Sequence, residues 1–240
     1  MAVMIPDDVE GFCTDGERHF YGFLKAVAKP DSKYLVWYLP DINGHEPDFI
    51  LFCKDTGLII FEVKDWVLNQ IQEANPQHFT LTINGRNEER ESPLRQAKTY
   101  CHSLMDKIRA DRRLVSREPH HAGNPKIPIH EGVVFPNINK YEYLGKALDQ
   151  VIDAERIFFW DDLHPQSDIS RDSSGQTFLK ALQQKYSAAF HFNLTPDELN
   201  HLRQLIFPVV RIELPDRNPS AQHEKQQSRI KMLDHNQEAI

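Results

Sequence analysis

Residues 47–64 read PDFILFCKDTGLIIFEVK, and the fold turns on how this stretch is read. Two apolar runs, 48–53 and 58–64, meet at Lys54-Asp55-Thr56-Gly57, which has the makings of a tight turn. Both runs are apolar on both faces, the pattern of central strands buried in a sheet. Yet Asp48 opens the first run, and Glu62 and Lys64 interrupt the second. Ionised side chains are costly in an apolar sheet unless they are paired, hydrogen-bonded or bound to metal. Side chains two apart on a strand share a face, so Glu62 and Lys64 point the same way, with the Val63 carbonyl between them. In a hairpin turning at 54–57, Asp48 lies at the same end as Glu62 and Lys64.

Working outward, the pattern predicts a mixed α/β domain built on one central sheet. CTDGERHFYGFLKAVAK (13–29) is a helix with Thr14 as N-cap and Phe20, Phe23, Leu24 and Val27 as its apolar stripe. KYLVWYLPDI (33–42) is a strand stopped by Pro40, and HFTLTING (78–85) ends in the hairpin signal Asn84-Gly85. SPLRQAKTYCHSLMDKIRADRR (92–113) is a helix capped by Ser92 with Pro93 at its first position. HEGVVFPNI (130–138) and ERIFFWDDL (155–163) are further strands, and helices follow at 173–190 and 195–207. From Pro215 the composition is that of a polar linker.

The bulk numbers narrow the partners. The chain has 240 residues, 40% hydrophobic, with 28 basic against 35 acidic residues and a net charge of −7. Such a surface does not attract nucleic acid by overall charge, so any contact needs local basic groups, a metal or a partner's surface. The three cysteines, Cys13, Cys53 and Cys101, are widely spaced and odd in number, which fits a reduced, cytoplasmic compartment and no zinc site. The N-terminus lacks the pattern of a signal peptide, and no run approaches the roughly 18 apolar residues of a membrane span.

Asp48, Glu62 and Lys64 have a chemical logic together. Two carboxylates, a backbone carbonyl and water make a hard oxygen site suited to Mg²⁺ or Mn²⁺. A cation there acidifies water and bridges a phosphate oxygen, while a lysine offsets charge developing on the phosphate. Phosphodiester hydrolysis needs these parts. A salt bridge at a strand end accounts for Glu62 and Lys64 alone; Asp48 after Pro47 on the neighbouring strand favours a site.

Pro47-Asp48 followed by Glu62-Val63-Lys64 resembles the PD-(D/E)xK signature of the nuclease superfamily that includes restriction enzymes and RecB-type exonucleases. The wider stretch GLIIFEVKDW (57–66), the hairpin after it and SPLRQAKTY (92–100) resemble the nuclease-related domain family, NERD. The resemblance covers roughly residues 12–165. It implies a restriction-endonuclease-like core, with Asp48 and Glu62 as metal ligands beside the Val63 carbonyl that the strand geometry adds, Lys64 as the catalytic lysine and Gln96 as the glutamine of the helix after the hairpin. Glu17 matches a glutamate that superfamily members carry on the first helix near the metal, although Thr14 to Glu17 also reads as a capping box.

Tyr100, Ser103 and Lys107 continue the polar stripe of Gln96. Tyr100, Lys107, Arg112 and Arg113 are candidates for nucleic-acid contact, against the plainer reading of a solvated helix end. His120, His121 and His130 read as surface histidines, and Asp161-Asp162 as a turn or helix cap. KMLDHNQEAI (231–240) resembles the segment just ahead of the ATP-binding loop in superfamily 1, UvrD-like helicases, where Gln237 would contact adenine in a longer protein. No G-x-x-x-x-G-K follows, so no ATPase activity is expected of this chain.

The expectation is thus a nuclease-like core at 1–165, a helical extension packed on it at 166–212, and a linker leading into a helicase domain in cis at 213–240. The expected function is a Mg²⁺- or Mn²⁺-dependent DNA nuclease with DNA as partner and no membrane association. If the family resemblance holds, DNA repair or defence against foreign DNA is the setting. A non-catalytic nucleic-acid-binding or protein-interaction module with a relic site is the alternative, and a nucleotide phosphoesterase is disfavoured by the missing glycine-rich phosphate loop.

Overall fold

The 47–64 hairpin lies at the centre of a six-stranded mixed sheet. The computed structural model describes residues 2–208, 210–212 and 230–232. In chain order the sheet begins with β1 (Val3–Ile5), β2 (Tyr34–Tyr38), β3 (Phe49–Cys53) and β4 (Gly57–Val63). A small antiparallel sheet of β5 (Ile71–Ala74), β6 (His78–Ile83) and β7 (Arg86–Glu91) intervenes. Then β8 (Ile129–Phe135) and β9 (Ile157–Phe159) complete the large sheet in the order β1-β2-β3-β4-β8-β9. β2, β3 and β4 run antiparallel, whereas β1 is parallel to β2, and β8 and β9 are parallel to β4. This is the expected α/β class, a central mixed sheet flanked by helices in the manner of a restriction-endonuclease-like core.

The residues of β3 and β4 are buried on both faces, as their unbroken apolar runs require. One face is covered by α1 (Asp15–Val27), where Thr14 caps the helix by accepting the Glu17 N–H at 3.1 Å. Phe20 of α1 sets its ring edge-on to Phe49 and Phe61, each centroid at 5.2 Å. Ile59, Phe61 and Val63 join the same apolar cluster, so Leu58, Ile60 and Glu62 face the other way. That second face carries α2 (Pro93–Arg109), which buries Ala97, Cys101, Leu104 and Ile108.

Past β8 come α3 (Lys140–Gly145), α4 (Trp160–Leu163), α5 (Asp168–Arg171) and α6 (Gln176–Lys185). Phe178, Leu179 and Leu182 of α6 pack into the cluster around α1. Residues 1–193 form one compact unit and 194–240 a second. In the second, α7 (Pro196–Ile206) opens with a capping box between Thr195 and Glu198, and β10 (Val210–Ile212) pairs with β11 (Ile230–Met232).

Several elements differ from the sequence reading, each for a local reason. The strand expected over 33–42 stops at Tyr38, because Leu39 turns into left-handed backbone (φ 46°) ahead of Pro40. The strand expected over 155–163 is strand only for Ile157–Phe159. The Asp162 carboxylate accepts the Phe159 N–H at 3.0 Å and starts a helical turn there. Ser92 occupies the N-cap position of α2, but its hydroxyl is buried without a partner, and its N–H instead donates to the Gln77 carbonyl. β1, β5 and α3 were not expected. β5 buries neither face cleanly, so it carries no two-residue alternation to read.

The hairpin turn depends on Gly57, whose φ is +99°. A Cβ there would come 2.4 Å from the Pro128 carbonyl oxygen, which accepts the Leu58 N–H at 2.9 Å and starts the pairing of β4 with β8. Gly57→Ala therefore meets a strained backbone angle and a backbone clash together. It is expected to lower stability by about 2 kcal/mol or more in urea unfolding.

Candidate active site

The strand register brings the charged residues together. Phe49 stands opposite Phe61 and Ile50 opposite Ile60, so one step further Asp48 stands opposite Glu62. Asp48 meets β4 through its side chain and β2 through its backbone. Its Oδ2 accepts the Val63 N–H at 2.7 Å, and its carbonyl accepts the Leu39 N–H at 3.0 Å. On the other side of β4, the Lys64 N–H donates to the Val134 carbonyl at 2.9 Å, fixing this strand end to β8. Lys64 Nζ reaches Glu62 Oε1 at 2.5 Å. Glu62 is only 2% exposed, and its Oε2 is buried with no hydrogen-bond partner.

Two buried carboxylates against one ammonium leave an electrostatic deficit. Burial pushes the Glu62 carboxyl up to about 8; the charge of Asp48 pushes the same way and Lys64 opposes both. Burial likewise raises Asp48 to about 6, while the Val63 N–H and Lys64 oppose the rise. From α2, Gln96 Nε2 donates to the Tyr100 hydroxyl at 2.7 Å. Burial raises the Tyr100 pKa, and the charges of Glu62 and Asp48 add to that rise, so the phenol is within their electrostatic reach. Asp48, Glu62, Lys64, Gln96 and Tyr100 therefore converge at the C-terminal end of β4.

The profile of the nuclease-related domain family, NERD, matches residues 14–136, just over half the chain and the whole of this constellation. The chain belongs to the NERD family. No curated protein and no solved structure matches it. The PD-(D/E)xK arrangement of Asp48 with Glu62-Val63-Lys64 is consistent with that membership.

Other expected residues of this NERD domain fall elsewhere. Glu17 is 4% exposed and lies near the pair, but its oxygens are already engaged. The Tyr38 hydroxyl donates to Oε2 at 2.6 Å and the Thr14 hydroxyl to Oε1 at 3.1 Å. Glu17 thus acts on Asp48 and Glu62 through its charge. Among the described residues no group of three or more His, Cys, Asp or Glu side chains gathers to hold a metal. Lys107 Nζ donates to the Asp41 carbonyl at 3.2 Å and so braces a loop.

Arg112 and Arg113 follow the C-terminus of α2, beside Leu114, whose carbonyl accepts the Lys126 N–H just ahead of β8. β8 begins opposite Leu58, at the start of β4, so both arginines lie at the far end of the sheet from Glu62. His130 Nε2 lies 3.2 Å from the Thr56 carbonyl. Asp161 and Asp162 accept the Lys140 and Phe159 N–H groups as caps. Gln237 lies outside the described residues.

Two residues of the NERD site escaped the sequence reading. Asp65 faces away from Glu62 and Lys64, toward α1, where its Oδ2 accepts the Gly16 N–H at 2.9 Å. Gly16 has no room for a side chain, since a Cβ would overlap the Asp65 carboxylate. Alternation along β4 is the signal that places Asp65 on the α1 face. Tyr38 holds Glu17, but in the sequence it is one aromatic residue in an apolar strand.

The donor set fits a hard divalent cation. Two carboxylates and the Val63 carbonyl leave coordination positions to water and phosphate oxygens, as Mg²⁺ sites do, and the unpartnered Glu62 Oε2 is a donor in waiting.

A raised carboxyl pKa also makes the cation-free protein sensitive to pH. Below the ordinary value of 4.5, Glu62 is protonated folded or unfolded and costs nothing. Above about 8 it is ionised in both states, and the fold bears the full cost. Stability in chelator is therefore expected to fall as pH rises from 4.5 to about 8, by an amount on the order of a few kcal/mol. Thermal unfolding of wild type and Glu62→Gln across that window checks this: the variant should flatten the dependence.

Proposed function

We propose that this NERD domain is a metal-dependent DNA nuclease that hydrolyses phosphodiester bonds with Mg²⁺ or Mn²⁺. The observation that carries the reading is the meeting of Asp48, Glu62 and Lys64 at one strand end, with a buried Glu62 oxygen left for a ligand. Asp48, Glu62 and the Val63 carbonyl are the groups that would hold the cation. When bound, it supplies charge neutralisation at the phosphate and acidification of water.

The rest of the chemistry belongs to the chain. The Val63 N–H fixes one Asp48 oxygen and aims the other. Lys64, steered by Glu62, sets an ammonium against the negative charge that develops on the phosphate as water attacks phosphorus in line and the bond to the leaving oxygen breaks. Gln96 fixes the Tyr100 hydroxyl beside this pair. The sheet and the buried face of α2 keep bulk water off Glu62, which is 2% exposed.

The net charge of −7 supports a module that relies on another surface for its hold on DNA. Together with the helicase-like sequence of residues 231–240, it supports fusion to a helicase motor in a longer protein. The same acidity favours the second reading, a binding module that keeps the site without using it.

Labelled single- and double-stranded DNA with Mg²⁺ or Mn²⁺ tests the proposal. Wild type is expected to cleave, and Lys64→Ala and Asp48→Ala each to lose about a hundredfold or more in rate. Cleavage that survives both substitutions would overturn the assignment, and binding without cleavage would favour the second reading.

A further inference from the structure

The loop between β2 and β3 is built more tightly than a simple connection needs. Ile42 is fully buried as its anchor. Asn43 (φ 56°) and Gly44 (φ 80°) take left-handed backbone, and the Gly44 N–H donates to Asp41 Oδ1 at 2.7 Å. Ile42 and His45 exchange backbone hydrogen bonds at 2.8 and 3.1 Å. Three contacts then fasten this turn to α2. Asn43 Nδ2 donates to the Ser103 carbonyl at 3.4 Å, Lys107 Nζ donates to the Asp41 carbonyl, and the His45 ring sits 5.7 Å from that of Tyr100. The outcome is an imidazole held against Tyr100, an α2 residue within electrostatic reach of the carboxylate pair.

Beyond this ring contact, the nitrogens of the imidazole are not used by the fold. Among the described residues no hydrogen bond engages either ring nitrogen of His45, although the residue is half-buried. His130, by contrast, has a ring nitrogen held 3.2 Å from the Thr56 carbonyl. The neighbouring phenol is equally available. Its oxygen accepts from Gln96 Nε2, which leaves its own proton free to donate. Two donors thus stand side by side, the phenol within electrostatic reach of two carboxylates that repel a phosphate strand.

We propose that His45 is a substrate-contacting residue: with the Tyr100 hydroxyl it receives a backbone phosphate adjacent to the scissile one, and so sets where the strand lies against Asp48 and Glu62. The ligand is a phosphodiester, and the contact carries no base information. The inference rests on the nuclease reading for its substrate, but it can be read by binding alone.

The test uses the full chain in a Lys64→Ala background, so that binding is measured without cleavage. Fluorescence anisotropy with a labelled single-stranded DNA oligonucleotide compares Lys64→Ala with Lys64→Ala carrying His45→Ala or His45→Arg. His45→Ala is expected to weaken binding about tenfold, and His45→Arg, which keeps a donor, to restore most of it. In the otherwise native protein His45→Ala should raise KM by a similar factor and leave kcat within about threefold.

Oligonucleotides bearing one neutral methylphosphonate at each position give a readout that a structural role would not move. The position whose neutralisation weakens the Lys64→Ala protein should lose its effect once His45 is alanine. Unchanged binding and KM would overturn the proposal. So would a loss that comes with a lowered melting temperature and is not restored by arginine, and so would absence of DNA binding by the Lys64→Ala protein. Binding that depends on His45 in a wild-type protein that does not cleave would support the phosphate contact and sink the nuclease reading.

Discussion

A single hydrogen bond, from the Val63 N–H to the Asp48 carboxylate, joins the architecture of this domain to its chemistry. At that point the antiparallel ladder of β3 and β4 gives way to a side chain that stands in for a strand carbonyl. The substitution closes the sheet end without leaving an N–H unpaired, which a buried strand could not tolerate. It also fixes an acid on the strand beside a second one, Glu62, where both are drawn out of water. The apolar mass around them, Phe20, Phe49, Phe61 and their neighbours, is what makes that arrangement rigid. The arrangement is also electrostatically expensive, since burial deprives both carboxylates of solvation.

That tension organises the surroundings. Lys64 answers part of the charge from the same strand face, and Tyr100 and Gln96 face it from α2. On the opposite face Glu17 adds charge of the same sign, while its own oxygens accept from Tyr38 and Thr14. Asp65 pins the first turn of α1, which brings Glu17 to that place, and its own carbonyl accepts from Asn137 beyond β8. The site is therefore held from both faces of the sheet by elements distant in sequence.

The hairpin and its three charges were legible because each signal is local: a glycine turn, two runs of matching length, and a two-residue spacing on one strand. The polar partners were less so. Tyr38 reads as core because an aromatic strand residue does not announce that its hydroxyl serves a glutamate on another element. Glu17 reads equally as a cap, and the structure shows the cap and a buried contact with Tyr38 at once. Arg112 and Arg113 belong to the densest basic run in the sequence, but a linear run does not say which end of a helix faces a site. α2 begins at the carboxylates and ends at the opposite side of the sheet. Ser92 has the right type and position for a cap, yet tertiary burial took its hydroxyl out of that role.

The parallel course of β4, β8 and β9 has a consequence for how such a domain diversifies. Every connection that leaves these strands starts from the same rim as Glu62 and Lys64, while every connection that enters them lies at the other end. Segments on the exit rim can lengthen, shorten or change sequence without shifting the register of the central hairpin. The entry side is free to carry attachments to other modules without crowding the chemistry. A fold arranged this way lets recognition vary and assemblies change while the reactive centre stays the same.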